Sequence, residues 1–357
     1  MDTKVKLQID RILNMVAEKQ ASDLHLSVGS VPTLRIHNQL LPLEQEESVT
    51  KEFMDSFVET ILDSDQKKIL TEKKELVIAY QLNRQIRFRI NIFFQKGVLA
   101  AYLRLIGSAI IPLPKLGLPI SLEQIAEKNK GLIIISGSFG SGKTTTSASI
   151  IDHINHTRSS YILTIEKPIE YIFSNHKSII EQREVGRDAI SFEQALSSIT
   201  QEDVDILYIS ELSSKKIINS VINIATSGRL VIANVEADTT VKTLEFIIDS
   251  FPSNEQQRVR AQLSTNLAGI VCQRLVPRVG GGQVAIAEIM TATPPIQSII
   301  KEGSLYQISN VIQTSREEGM VSLDWSLAEL VKTNEINLES ALDNASDQQQ
   351  LRYMLRA

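Results

Sequence analysis

Three glycines and a Lys-Thr pair carry the most explicit chemistry in this chain. They stand in Gly131-Leu-Ile-Ile-Ile-Ser-Gly137-Ser138-Phe139-Gly140-Ser141-Gly142-Lys143-Thr144-Thr145, an apolar strand pattern that runs into a glycine-rich loop and opens a helix. From Gly137 to Thr144 the spacing is that of the G-x-x-x-x-G-K-[ST] phosphate-binding loop, in its strand–loop–helix context. The glycines let backbone N–H groups turn inward around an anion, and the following helix points its unsatisfied N–H groups and positive dipole end at the same place. Lys143 adds a mobile positive charge for the β- and γ-phosphates, and the Thr144 hydroxyl is a ligand for Mg²⁺. These residue types predict a nucleotide site made of Gly137 through Thr145, with Thr144 on the metal. A plain glycine-rich strand–helix turn is the alternative.

Hydrolysis needs groups that polarise water and organise Mg²⁺, and two strand ends offer carboxylates. Thr164-Ile-Glu166-Lys-Pro-Ile-Glu170 closes one apolar strand and Asp205-Ile-Leu-Tyr-Ile-Ser-Glu211 closes the next. In an open parallel sheet the carboxyl ends of the strands face the ligand crevice. Glu166 is therefore the candidate water-activating base and Glu211 the candidate Mg²⁺-organising acid. A helix cap or a solvated strand end is the plainer reading of either.

The elements that must position these groups fall into two patterns. Residues 3–18 carry Ile9, Ile12, Leu13 and Val16 at helical spacing, then the period changes to two at 23–27 and 33–40. Helices are expected near 51–62 and 65–71, and strands at 75–81, 87–94 and 99–105, which makes a helix-plus-antiparallel-sheet domain over 1–106. Residues 107–118 hold Pro112, Pro114 and Gly117 and read as an extended linker. Beyond it, apolar strands at 131–136, 161–166, 205–211 and 229–235 alternate with helices, the pattern of a parallel α/β sheet. Ser191-Phe-Glu-Gln194 and Ser253-Asn-Glu-Gln256 both fit the capping box, with the serines as N-caps. The α/β core spans 119–290 and a helical region 291–357, opened by Pro294 and Pro295.

Composition narrows the function classes. The 357 residues are 43% hydrophobic and 22% charged, with net charge −5, so a nucleic-acid-binding surface is not the main business. One cysteine, Cys272, excludes an intrachain disulfide and fits a cytosolic location; it reads as a buried small hydrophobe on an apolar helix face. No 18-residue uncharged apolar run exists, so direct membrane insertion is not expected. His25 and His37, on alternating strands, read as packing or surface residues rather than metal ligands, and Trp325 and Phe251 as core.

Several segments together carry a family resemblance: Ala21-Ser-Asp-Leu-His-Leu-Ser, the loop followed by Ile-Asp-His-Ile-Asn, Thr-Ile-Glu-Lys-Pro-Ile-Glu-Tyr, and Glu181-Gln-Arg-Glu-Val-Gly-Arg-Asp. Over residues 3–340 the chain resembles the PilT/PilU group of type IV pilus retraction ATPases, within the secretion-ATPase superfamily. The resemblance implies a PAS-like α+β N-terminal domain, a RecA-like P-loop core and a homo-hexameric ring with ATP and Mg²⁺ between neighbours. It implies arginines donated from the N-terminal domain to the nucleotide, at Arg87, Arg89 and Arg104; for Arg87 and Arg89 an exposed strand face is the alternative. It also implies an inner-membrane pilus platform partner and a cytoplasmic position at the inner face of the membrane. Assembly and type II secretion relatives usually carry a four-cysteine zinc element, which a single cysteine excludes.

The chain departs from that pattern in specific places. Where the family has Glu-Met-Arg-Asp, this sequence has Glu211-Leu-Ser-Ser. The family's Thr-Gly-His-Leu-Val-x-x-Thr-Leu-His stands here as Ser227-Gly-Arg229-Leu-Val-Ile-Ala-Asn-Val-Glu236, so Arg and Glu replace two histidines. Lys167 replaces an aspartate after Glu166, and the Ala-Ile-Arg-Asn-Leu-Ile-Arg-Glu retraction motif reads Pro295-Ile-Gln-Ser-Ile-Ile-Lys-Glu302. Lys167 and Arg229 are expected to bring positive charge near the nucleotide, and Glu236 an anion close to the γ-phosphate. Two functions follow: an ATP-hydrolysing retraction motor for twitching motility, or a weakly hydrolysing subunit that assists a fuller paralogue.

Overall fold

The computed structural model describes residues 3–36, 39–83, 86–106 and 109–356. They form two compact units, residues 1–109 with Pro168–Ile172, and residues 110–167 with 173–357.

In the first unit, α1 (Thr3–Glu18) leads into β1 (Asp23–Ser27), β2 (Thr33–Ile36) and β3 (Gln39–Pro42). Then come α2 (Lys51–Ile61), α3 (Ser64–Lys73), β4 (Glu75–Gln81), β5 (Arg87–Gln95) and β6 (Val98–Ile106). The strands pair antiparallel in the order β3-β2-β1-β6-β5-β4. Alternation along β5 sends Phe88, Ile90 and Ile92 into a core with Leu24, Leu34 and Leu103. The same core takes Ile9, Ile12, Leu13 and Val16 of α1 and Met54 and Phe57 of α2. Helix α3 starts on a capping box, in which Asp63 accepts from the Gln66 N–H while the Gln66 side chain accepts from the Asp63 N–H. The expected single strand over 33–40 is two: Ile36 pairs back onto Gln39. No Asn-Gly or Gly-x pair stands there to signal a reversal. His37 lies outside the described residues.

The second unit runs α4 (Ser121–Ala126), β7 (Gly131–Ser136), α5 (Lys143–Thr157), β8 (Tyr161–Glu166), β9 (Ile179–Glu184), α6 (Phe192–Ser198) and β10 (Ile206–Ile209). It continues with α7 (Lys215–Thr226), β11 (Leu230–Val235), α8 (Thr240–Asp249), α9 (Ser253–Asn266), β12 (Leu267–Pro277) and β13 (Gln283–Thr291). Helices α10 (Pro294–Glu302), α11 (Ile308–Thr314), α12 (Leu323–Lys332), α13 (Leu338–Asn344) and α14 (Gln348–Arg356) close the chain. The sheet order is β13-β12-β7-β11-β10-β8-β9, parallel throughout except for β13 on one edge. Every residue of β7, β10 and β11 is buried, as strands covered on both faces must be. Leu132 and Ile134 face one apolar layer with α6 to α10, while Ile133 and Ile135 face another with α4 and α5.

Four local expectations change. Cys272 sits on a strand, β12, not a helix: α9 passes into β12 at Asn266–Leu267 without a glycine or proline to mark the break. Helix α9 takes Pro252 as its N-cap, and Ser253 is its first helical residue with no capping bond. Ser191 does cap α6, accepting from the Gln194 N–H at 3.2 Å. Within 107–118, Gly107 and Ser108 lie outside the described residues, but Leu113–Lys115 form a 3₁₀ turn that buries Leu113. Phe251 is core, whereas Trp325 is half-buried with the Arg316 guanidinium 4.0 Å from its ring centre.

Candidate nucleotide-binding site

The glycine-rich loop leaves the carboxyl end of β7 and re-enters the fold as α5. Gly142 caps α5 at φ +90°, a conformation that glycine alone adopts without strain. Gly137 is restricted differently: a Cβ there would overlap the Gln273 carbonyl oxygen and Ser141 Oγ. Lys143 Nζ donates to the carbonyls of Gly137 (2.8 Å) and Ser138 (2.9 Å), which holds its charge over the loop. Ser138, Phe139 and Gly140 are exposed, while Thr144 and Thr145 are half-buried in the first turn of the helix. Thus a backbone cradle, a cation, a helix N-terminus and a hydroxyl converge at one strand end, a donor set suited to a polyphosphate and its metal.

Beneath the loop, a buried polar relay ties three elements together. Ser147 Oγ on α5 donates to Asn234 Oδ1 on β11 at 2.7 Å, and Asn234 Nδ2 donates to the Tyr208 hydroxyl on β10 at 2.9 Å. Beside it, Thr243 Oγ1 on α8 donates to Ser136 Oγ at 2.9 Å. Cys272, on β12, has its thiol pushed up to about 11 by burial, so it stays protonated and inert.

Strand order places the carboxylates. Glu211 follows β10, two strands from β7, and Glu166 ends β8, three strands away. At ~4.8 Å per strand they stand ~10 and ~14 Å from the strand that carries the loop. Glu211 is half-buried. Glu166 is buried and accepts from Thr164 Oγ1 (2.7 Å) and Gln182 Nε2 (3.1 Å). Lys167 is exposed, and its N–H donates to Ser210 Oγ. Glu236 is exposed directly after Val235, which pairs with Ser136, so it lies on the loop's edge of the sheet.

Arg229 does not. It precedes β11 at the amino edge of the sheet, where Leu230 pairs with Gly131, a full strand length from the loop. Its guanidinium donates to Val204 O (2.8 Å), Glu202 O (3.1 Å) and Ser227 Oγ (2.8 Å). The expectation that Arg229 adds charge near the nucleotide is therefore wrong. The residue staples the opposite end of the sheet, because its motif straddles a six-residue strand.

The three candidate arginines have contacts within the first unit. Arg87 Nη2 donates to Ile169 O at 2.7 Å, and Arg89 pairs with Glu170 at 3.0 Å. Arg104 Nε donates to the buried Asp23 carboxylate at 2.9 Å, which also accepts from Tyr102 and Ser22. Burial pushes the Asp23 carboxyl up, but the bonds from Tyr102, Arg104 and Ser22 outweigh it and hold it below its ordinary 3.8. His25 packs against Tyr102, and no group of three metal-ligating side chains exists among the described residues.

A family model for type II/IV secretion system proteins matches residues 2–342. The chain belongs to that family. Within it, the chain is 34% identical over 344 residues to the type IV pilus retraction ATPase PilT of Pseudomonas aeruginosa, covering 95% of this chain and 98% of that one. It is 32% identical over 351 residues to the type IV pilus ATPase PilU of the same organism, covering 98% and 92%. A crystal structure of the pilus retraction motor PilT with bound ADP superposes with a TM-score of 0.85 at 35% identity, over 97% of this chain and 99% of that one. The fold is therefore that of a secretion ATPase, with a RecA-like P-loop core. Gln273 and Asn234 are not evident as site residues from the sequence: Asn234 is the one polar residue of β11, and Gln273 stands beside Arg274 in the otherwise apolar β12. Their only advance signal is an amide where β-branched residues would be expected.

Proposed function

We propose that this secretion-family protein binds Mg²⁺–ATP at Gly137–Thr145 and hydrolyses it to drive type IV pilus retraction. The observation that carries the proposal is the convergence of the glycine cradle, Lys143 and the α5 N-terminus at the carboxyl end of β7, two strands from Glu211. Thr144 and Glu211 would hold Mg²⁺, which supplies neutralising charge on the phosphate oxygens. Lys143 leaves its two loop carbonyls for the phosphates, the loop N–H groups orient them, and Glu166 is the candidate to accept the proton of the attacking water. Arg87, Arg89 and Arg104 act on a neighbouring subunit's nucleotide in a homo-hexamer, and the ring works at the inner face of the membrane through a platform protein. The pilus assignment rests on the likeness to PilT and PilU across nearly the whole chain.

A second reading, a weakly hydrolysing subunit that supports a paralogous ATPase, is favoured by Glu236 on the loop's edge and by Ser213 in place of an arginine. Steady-state phosphate release from the purified assembly separates the two. The motor requires turnover that Lys143→Ala and Glu211→Ala each abolish. ATP binding with background turnover, indifferent to Glu211→Ala, refutes the motor and leaves the supporting subunit.

A further inference from the structure

One residue outside the loop clasps both of its ends. In β12, which runs beside β7, Cys272 is level with Ser136, so Gln273 stands next to Gly137. Its main-chain carbonyl closes the space where a Cβ on Gly137 would go. Its side chain, 1% exposed, reaches across the loop, and Nε2 donates to the Ser141 carbonyl at 2.7 Å. The amide fills the other tight approach as well, since a Cβ on Gly142 would come within 2.9 Å of Nε2.

Pinning that carbonyl has a consequence for the next N–H. The Ser141–Gly142 peptide is planar and trans, so its C=O and N–H point in opposite directions. Gly142, at φ +90°, lacks the steric restriction that would otherwise stop this peptide from flipping. We propose that Gln273 is a positioning residue for the nucleotide phosphates: by holding the Ser141 carbonyl against β12, it keeps the Gly142 N–H turned into the cradle. Without the clasp, the flipped loop presents a carbonyl oxygen to an anion, and the phosphate-competent state is only partly populated. The inference rests on the reading of Gly137–Thr145 as the nucleotide site.

Gln273→Met and Gln273→Glu in the full-length protein test it, with equilibrium binding of ATP measured by calorimetry. Methionine fills a similar volume and donates nothing, so affinity should fall on the order of tenfold, the worth of about one hydrogen bond. The glutamate variant carries a readout that simple space-filling would not move. A neutral carboxylic acid can donate to the Ser141 carbonyl and a carboxylate cannot, and burial raises the pH at which the proton is held. The ratio of Gln273→Glu to unmodified affinity should therefore climb toward one as pH falls from about 8.5 to about 6, around the raised range of a buried carboxyl. Binding by Gln273→Met within twofold of the unmodified protein, or a ratio flat in pH, overturns the proposal. If the Lys143→Ala variant binds ATP as tightly as the unmodified protein, the nucleotide reading of the loop is itself wrong, and the role of Gln273 falls with it.

Discussion

Replacing Asn234 by alanine should destabilise the second unit by about 3 kcal/mol, because the side chain satisfies two other buried groups at once. Ser147 Oγ donates to its Oδ1 and the Tyr208 hydroxyl accepts from its Nδ2, and all three residues are buried. Removing the amide strips a partner from each, and a buried polar group left unsatisfied costs roughly 1–3 kcal/mol. For two groups that is roughly 2–6 kcal/mol, and because Ser147 in the first half of α5 can recover a bond to its own helix and Tyr208 has a further interaction, the sum falls to about 3 kcal/mol. Threonine, the residue at this place in the retraction-ATPase pattern, has one polar atom in place of two and should lose about half as much.

Urea unfolding of the full-length protein measures the effect through tryptophan fluorescence. Trp325 is the only tryptophan, it belongs to the second unit, and the Arg316 guanidinium stacked on it changes its surroundings on unfolding. A double-mutant cycle with Ser147→Ala should show a coupling of at least about 1 kcal/mol, as residues in one hydrogen-bond network do. A loss under about 1 kcal/mol for Asn234→Ala, or additive effects in the cycle, would refute the reasoning, since an unmade buried bond cannot be that cheap.

Two further outcomes follow from charge. Glu236 is exposed beside the loop, and a unit charge ~8 Å from a phosphate is worth roughly 0.5–2 kcal/mol between bulk water and a surface dielectric. Glu236→His should raise ATP turnover by roughly twofold to thirtyfold, with the gain shrinking as salt is added; an unchanged or lower rate sinks the repulsion account. Asp23 is held below its ordinary 3.8 in the folded chain, so it contributes stability above the unfolded carboxyl range and loses it as pH falls through the folded value. The first unit should therefore lose stability steeply on acidification below about pH 4, and Asp23→Asn should flatten that slope while costing about 3 kcal/mol at neutral pH, measured by hydrogen exchange in β1 and β6.

The loop was legible from sequence because its residue types admit few other structures: glycines in tight approaches followed by Lys-Thr on a helix. The buried parallel strands were legible too, since β7, β10 and β11 are apolar runs of four to six residues bounded by turns. What stayed hidden depended on contacts distant in sequence. Gln273 and Ser141 are 132 residues apart, and Asn234 and Ser147 are 87 apart. The start of strand β12 is hidden in the sequence because α9 runs straight into it, so no local boundary marks the change of period. Arg229 and Glu236 belong to one sequence motif, yet the strand between them separates its ends by ~20 Å at ~3.3 Å per residue.

That separation reshapes the question of activity. Of the departures from the retraction-ATPase pattern, some change a residue without changing its structural work. Ser214, at the place of an aspartate, still caps α7 by accepting from the Ile217 N–H, a job that serine and aspartate do about equally well. Arg229 satisfies two main-chain carbonyls at the far edge of the sheet, a strand length from the loop. The α10 segment with the altered retraction motif keeps Ile296, Ile299 and Ile300 in the core. The departures with electrostatic weight at the carboxyl edge of the sheet are Lys167, which puts a positive charge in place of a negative one, Ser213 and Ser214, which give up one charge of each sign, and Glu236, which adds a negative one. Only Ser213 and Glu236 shift the local potential against a polyphosphate, and Lys167 and Ser214 shift it the other way. Glu236 is exposed and screened, whereas the cradle, Lys143 and the α5 dipole are unaltered. Coulomb repulsion of that size can slow hydrolysis by about an order of magnitude but cannot abolish binding, which depends on many aligned N–H groups rather than one charge.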